Sequence, residues 1–342
     1  MLSKIIIYAD KEKTYTYAYN QKEQLEYYLI DPLKSLNHGI FLAKIINIHS
    51  KNNLAWINYM DDKIGVINLP KGHSLQSGSQ IICQMTWEGN TDKLPKFSSE
   101  IKFAGKYVIL LSNPEARHVY AKGLLEHKKL AGIIHKYHNL GLIFRSSINL
   151  LIDLDLLEQE IELLQSKMDL VKAQNGLGQL QDGILNYIEL LHRYSENLNV
   201  VTNSQDIFDN LKQYINLWQI DELTLDNKLR VPTLELSNTF TENNGVRFSL
   251  HTLAGINLID IDSGDSNLSF YKVNFLVLED VVKNIKLHDL SGIILIDFIK
   301  DMSSQEQGKI IDKLKSLLYD DWRRNKVLGF TNAGLCEIIR SK

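Results

Sequence analysis

Between Gly39 and about Tyr107 the chain carries a series of short runs rich in β-branched and aromatic residues, each cut off by a cluster of turn residues. The runs are IFLAKIINI, NLAWINYM, IGVINL, QIICQMTW and KYVILL. The breaks are His49-Ser50-Lys51-Asn52-Asn53, Met60-Asp61-Asp62-Lys63 and Glu88-Gly89-Asn90. About five short strands at this spacing predict a small β-barrel or sandwich. Two further strand-like runs, Ile5 to Tyr8 and Thr14 to Tyr19, precede them.

The middle of the chain changes period. From Leu154 to Gln174 the apolar residues Leu157, Ile161, Leu164, Met168 and Val171 recur at helical spacing with acidic residues between them. Ser204 reads as the N-cap of a helix carrying Ile207, Phe208, Leu211, Ile215 and Trp218 on one face. Between them, Asn175-Gly176-Leu177-Gly178 follows a helix and lacks the Gly-Lys-Ser/Thr ending of a phosphate-binding loop, so it is read as a helix cap and linker. His135 and His138, in a Lys-rich stretch, are read as surface residues.

The last hundred residues return to α/β, with strands at 256–262 and 291–299 and helices near 271–286 and 303–318. Alternate residues of a strand share a face, so Leu258, Asp260 and Asp262 point one way. The run from Gly292 to Ile299 is apolar except for Asp297, a pattern that fits a strand buried on both faces. A carboxylate ending an apolar strand is costly unless it is paired, hydrogen-bonded or holding a cation. If the two strands are neighbours, Asp260, Asp262 and Asp297 converge on one Mg²⁺, which takes one or two carboxylates and several waters. Aspartates at strand ends also cap loops and helices, and the spacing alone leaves both readings open.

Composition narrows the class. A length of 342 residues predicts two or three modules, since domains typically run ~100–200 residues. The 38 basic and 41 acidic residues, net −3, exclude a tail-driven grip on nucleic acid but permit a local basic groove. Cys83 and Cys336 stand far apart, which argues against a disulfide framework and a Cys-type zinc site and for a reducing cytoplasm. The N-terminus lacks a signal-peptide core, and no stretch approaches the ~20 apolar residues of a membrane span.

Taken together, these segments resemble the RNase E/G family of metal-dependent endoribonucleases over almost the whole chain. GIFLAKIINIHSKNNLAWINYMDDKIGVINL resembles the start of that family's embedded OB-fold, and FAGKYVILL its closing strand. GLIFRSS resembles the family's Gly-Leu-Ile-Val-Arg-Thr, and INLIDIDSG its Ala-Ile-Asp-(Val/Ile)-Asn-Ser. HDLSGIILIDFI and AGLCEIIR resemble two later motifs, and all six follow in the family's order.

The resemblance implies an α+β multidomain fold. An RNase H-like subdomain is expected from 1–36 plus 173–243, with an OB-fold inserted at 37–104 and a 5′-sensor at 105–172. A DNase I-like α/β catalytic subdomain follows at 244–342. It further implies that Asp260 and Asp297 bind Mg²⁺, or Mn²⁺ in its place, with Asp262 supporting the site. Arg145 and Ser146 fall on the pair that holds a 5′-monophosphate, a fitting role for an Arg fork and a hydroxyl. Trp56 falls on a base-stacking position and Lys93 on a backbone-contacting lysine. Trp56 also fits a barrel-core aromatic.

The sequence departs from the family pattern at several points. Val66 occupies the second aromatic position of the OB-fold. The segment after Ser263 is shorter than the family's and lacks its basic, Gly-rich loop, and Leu276 stands where an acid is expected, although Asn274 matches. No zinc-link cysteines precede Lys342, so no zinc is expected, and a monomer or dimer is expected rather than a zinc-linked tetramer. Two functions follow. One is a Mg²⁺-dependent endoribonuclease acting on single-stranded RNA in the cytoplasm. The other is a catalytically weak or inactive RNA-binding relative that holds or regulates transcripts.

Overall fold

The computed structural model describes every residue except 1, 50, 114–117, 121–126, 146, 149–152, 195–196, 232–233, 242–244, 254, 300–301 and 342. Its strands form four sheets, each lined by its own buried cluster.

Strands β1 (Leu2–Ala9), β2 (Lys13–Asn20) and β3 (Leu25–Pro32) make an antiparallel meander. Their sheet is completed from far along the chain by β14 (Asn199–Thr202), parallel to β1, and β15 (Glu222–Leu225), parallel to β14. The order is β15-β14-β1-β2-β3. Helices α3 (Asn186–Tyr194), α4 (Gln205–Lys212) and α5 (Ile215–Trp218) accompany it. Ser204 caps α4 as expected, its hydroxyl accepting from the Ile207 amide. The single helix expected through Trp218 is two: α4 ends before Gln213, and α5 ends on Gln219 with φ 57°. The break lets the Tyr214 ring stack on Trp218, with centroids 4.1 Å apart, and both are buried.

The predicted barrel is present. Strands β4 (Ile40–His49), β5 (Leu54–Met60), β6 (Lys63–Asn68), β7 (Gln80–Trp87) and β8 (Lys96–Ser98) close because β4 pairs with both β5 and β7, and β8 with both β6 and β7. Alternation sends Ala55, Ile57 and Tyr59 of β5 inward to Phe41, Met85 and Phe97. Gly65 is required where β6 crosses Phe97, since a Cβ there would lie 2.4 Å from the ring. The barrel closes on the short β8 and not on the KYVILL run. The Gly-rich stretch after the long middle helix, expected to be only a linker, leads into β13 (Gly178–Gln181), which pairs with β4.

KYVILL instead enters a third sheet of β9 (Lys102–Ala104), β10 (Val108–Leu111), β11 (Val119–Tyr120) and β12 (Gly141–Phe144). Short α1 (Ala131–Lys136) lies in this region, and α2 (Leu154–Ala173) covers the sheet with the stripe Leu157, Ile161, Leu164, Met168 and Val171. Val108 and Leu110 are buried in the same cluster, which draws KYVILL away from the barrel. His135 and His138 are exposed, as expected.

The C-terminal sheet runs β16-β17-β18-β19-β21-β20, from β16 (Thr239–Thr241), β17 (Arg247–Leu253), β18 (Ile256–Asp262), β19 (Gly292–Asp297), β20 (Asn325–Phe330) and β21 (Leu335–Arg340). The helix expected at 271–286 is divided at Val277 into α6 (Phe270–Leu276) and α7 (Leu278–Leu287). Helix α8 (Ser304–Leu317) begins with a capping box between Ser303 and Glu306. These helices pack on one face of the sheet. Strand β19 is therefore not buried on both faces as its apolar run suggested: Ile294 and Ile296 are buried, whereas Ile293 is exposed and Leu295 and Asp297 are half-buried.

An ionic cluster ties this unit to the N-terminal sheet. The fully buried Arg340 guanidinium donates to Asp321 (2.6 and 2.9 Å) and Asp289 (3.0 Å), and Arg323 donates to Asp289 (2.6 and 2.7 Å) and to Asn186 (3.4 Å). Asn186 in turn donates to Asp31 on β3 at 2.7 Å. The fold is thus mixed α+β with a closed five-stranded barrel, consistent with an OB-fold. Among the described residues, no helix is long and apolar enough to cross a membrane.

Candidate active site

Strands β18 and β19 are parallel neighbours, and Asp260 stands in register with Asp297 at their C-terminal ends. Ile259, Ile261, Ile294 and Ile296 bury the opposite faces under the helices, so Asp260, Asp262 and Asp297 are held on the open side of the sheet. Neither Asp260 nor Asp297 has a hydrogen-bond or ion-pair partner for its side chain among the described residues. Asp262 differs. Its Oδ1 accepts from the Gly264 amide at 2.5 Å, closing the turn after β18. Arg247, across from Asp262, pairs with the exposed Asp265 at 3.4 Å. Among the described residues, no group of three or more His, Cys, Asp and Glu side chains is placed to hold a metal ion.

Asn274, on α6, is fully buried and grips the chain just beyond Asp297. Its Nδ2 donates to the Ile299 carbonyl (2.8 Å), and its Oδ1 accepts from the Ile299 amide (3.1 Å). Ser249, which sequence patterning did not single out, is the register partner of Asp260 on the other side and is hydrogen-bonded to His251 Nε2 at 2.9 Å. Only the β17–β18 pairing reveals it.

The second group lies at the start of β10. The buried Glu160 carboxylate accepts from the amides of Lys106 (2.7 Å), Tyr107 (2.7 Å) and Val108 (3.0 Å). Burial raises its pKa, and those three donors oppose the rise. The half-buried Arg145 follows β12, donating from Nη1 to the Gly105 carbonyl (2.6 Å) and from its amide to the Tyr107 carbonyl (2.8 Å). Burial lowers the Arg145 pKa. Glu189 and Glu160 counter that effect, and the nearby Arg324 and Arg193 add to it. The positive charges of Arg324 and Arg193, from distant parts of the sequence, thus add to the field at Arg145. Ser146, expected beside Arg145, lies outside the described residues.

On the barrel, Trp56 is half-buried and outward-facing, between the inward Ala55 and Ile57. A barrel-core role is thereby excluded. Val66 is its register partner on β6. Lys93 is exposed in the loop between β7 and β8, its amide held by Asn90 Oδ1 at 2.9 Å.

Fold and site define a mixed α+β protein that joins a closed five-stranded barrel, consistent with an OB-fold, to a paired-carboxylate site. The chain belongs to the Ribonuclease E/G family, whose model matches residues 102–342. It is similar to the Ribonuclease E/G-like protein of Porphyra purpurea, 23% identical over 296 residues that cover 77% of this chain and 58% of that protein. The like-named protein of Pyropia yezoensis is 21% identical over 295 residues, with the same shares. Ribonuclease E of Nostoc sp. is 21% identical over 343 residues, covering 88% of this chain and 49% of that protein. The chain spans about half the length of these curated relatives.

Proposed function

We propose that this chain is a Mg²⁺-dependent endoribonuclease that hydrolyses single-stranded RNA to 5′-phosphate and 3′-hydroxyl ends, in cytoplasmic RNA processing or decay. The observation that carries this reading is the register of Asp260 with Asp297, neither of them neutralised by a described side chain. Two carboxylates on strands ~4.8 Å apart repel one another, and a hard cation relieves that repulsion. The pair suits Mg²⁺, or Mn²⁺, held through one or two carboxylates with water and phosphate oxygens completing the shell. When bound, the ion supplies Lewis acidity and a more acidic water.

The protein's own residues then provide placement. Asp260 and Asp297 would hold the ion, and through it the phosphodiester, at the open end of two strands, the usual side for ligands in such sheets. Asn274 holds the Ile299 backbone and so fixes the segment leaving Asp297. A water oxygen bonds to phosphorus, the bond from phosphorus to the 3′ oxygen breaks, and that oxygen leaves with a proton as the 3′-hydroxyl. Arg145, with Ser146, would hold a terminal 5′-phosphate, and the charges of Arg193 and Arg324 add to the positive field there. Trp56 stacks a base, and Lys93 meets the backbone.

We assign the β15-β14-β1-β2-β3 sheet to an RNase H-like subdomain (1–36 plus 173–243). It carries an OB-fold (37–104) and a 5′-sensor (105–172), and a DNase I-like catalytic unit (244–342) follows. The partner is single-stranded RNA, and the protein acts as a monomer or dimer.

A second reading, an RNA-binding relative with weak or no catalysis, is favoured by Val66 beside Trp56 and by Leu276, which is 51% exposed. Incubating 5′-monophosphorylated single-stranded RNA with Mg²⁺ separates the two. The endonuclease cuts, and Asp297→Asn does not. A folded wild type that binds RNA without cutting it selects the second reading.

A further inference from the structure

We propose that Trp87, flanked by Lys96, is a second base-stacking position for single-stranded nucleic acid on the barrel. The proposal rests on reading the barrel as an RNA-binding module and deepens that reading. Four residues stand in register across four strands: Trp56 with Val66, Val66 with Lys96, and Lys96 with Trp87. Register partners project to the same side of a sheet. The row is therefore on the outer face, since Ala55, Ile57, Ile67, Phe97 and Met85 fill the interior.

Strict alternation from Met85 would turn Trp87 inward. The register of β7 against β8 shifts between Met85 and Trp87, and such a bulge re-aims the side chain that follows it. Trp218 is buried in the core of the N-terminal sheet and Trp322 packs against it, whereas Trp56 and Trp87 belong to no core cluster. Both indoles are half-buried on the outside of one small barrel, in one transverse row, and neither belongs to its core.

The surroundings of Trp87 suit a base and its phosphate. Lys96 places its ammonium 5.7 Å from the Trp87 ring centroid. Lys93 rises from the loop that joins the two strands. That loop is braced: Asn90 Oδ1 accepts from the Asp92 and Lys93 amides at 3.0 and 2.9 Å. Gly89, at φ 80°, passes so close to Lys93 that a Cβ would lie 2.6 Å from its carbonyl oxygen. An indole offers a π-face to any base, and the lysines pair with backbone phosphate, so the recognised class is single-stranded nucleic acid without strong sequence preference. Three strand spacings separate the indoles, about 14 Å, so they take different bases with Val66 between them. Trp87 supplies the second stacking position that Val66 lacks.

The test is fluorescence anisotropy of the full chain with a 5′-fluorescein oligouridine in EDTA, which removes cleavage from the readout. Trp87→Ala and Trp56→Ala should each weaken binding about tenfold, and Trp87→Phe should retain most of it. Lys96→Gln should reduce the slope of log affinity against log salt by about 0.7. If Trp56→Ala weakens binding while a normally folded Trp87→Ala binds like wild type, Trp87 is not a stacking position and the RNA-binding reading survives. If wild type does not bind, both fall. Should Trp87→Ala not fold, a 4-thiouridine oligonucleotide cross-linked to wild type must label the peptide containing Trp87, and labelling confined to the Trp56 peptide overturns the proposal.

Discussion

Asp260 and Asp297 face each other in register across two parallel strands, and no described side chain neutralises either. Neither carboxylate supports the fold through a described partner, so removing one charge should not harm it. Asp260→Asn and Asp297→Asn are each expected to melt at or slightly above the wild-type temperature. Both should lose cleavage by at least about 100-fold, since even outer partners of a metal ligand are worth ~10–100-fold. Asp262→Asn should cut nearly as well as wild type, because an amide oxygen can still accept from Gly264. Melting curves and Mg²⁺-dependent cleavage of a labelled RNA check all three.

Asn274 is expected to act through position. Asn274→Ala leaves the amide and carbonyl of Ile299 without their partner, at a cost of about 1–3 kcal/mol. With the segment beyond Asp297 loosened, kcat should fall while KM changes little. A fall in stability with kcat intact would confine Asn274 to a structural role.

Gly105 stands against the Glu160 carboxylate, where a Cβ would lie 2.4 Å from Cδ. Gly105→Ala should therefore destabilise by about 1–3 kcal/mol. It should also shift the carbonyl that anchors Arg145. The expected signature is loss of preference for 5′-monophosphorylated over 5′-hydroxyl RNA, with cleavage of both retained. An unchanged preference would detach Arg145 from 5′-end recognition.

Asp31 is buried in the cluster joining the N-terminal and C-terminal sheets, and burial pushes its carboxyl up to about 6, with the Asn186 hydrogen bonds opposing the rise. The folded chain then binds this proton at a higher pH than the unfolded chain does. The group consequently costs stability above pH 6, and that cost is relieved as pH falls toward 4. Asp31→Asn should stabilise the protein at pH 7.5 by about 1–3 kcal/mol. The gain should shrink at pH 5, and denaturant unfolding at the two pH values would show whether it does.

The aspartate face, the Trp56 strand and the α2 stripe were legible in the sequence because each is a local periodicity. Side chains alternate along a strand and recur every three to four residues along a helix, whatever lies beyond. Motif order was legible for a related reason, since each short run keeps its own chemistry. Neighbours were not. That β18 lies beside β19 in the one register that sets Asp260 against Asp297 depends on how α6 and α7 carry the chain between them. The one-sided cover of β19 and the diversion of KYVILL to α2 were settled by burial across the whole molecule. So was the outward turn of Trp87, which a bulge imposes against the alternation of its own strand. Local periodicity determined which face each residue takes. Only tertiary packing decided which faces meet, because burying the apolar side of one element depends on partners that the element's own residues do not specify.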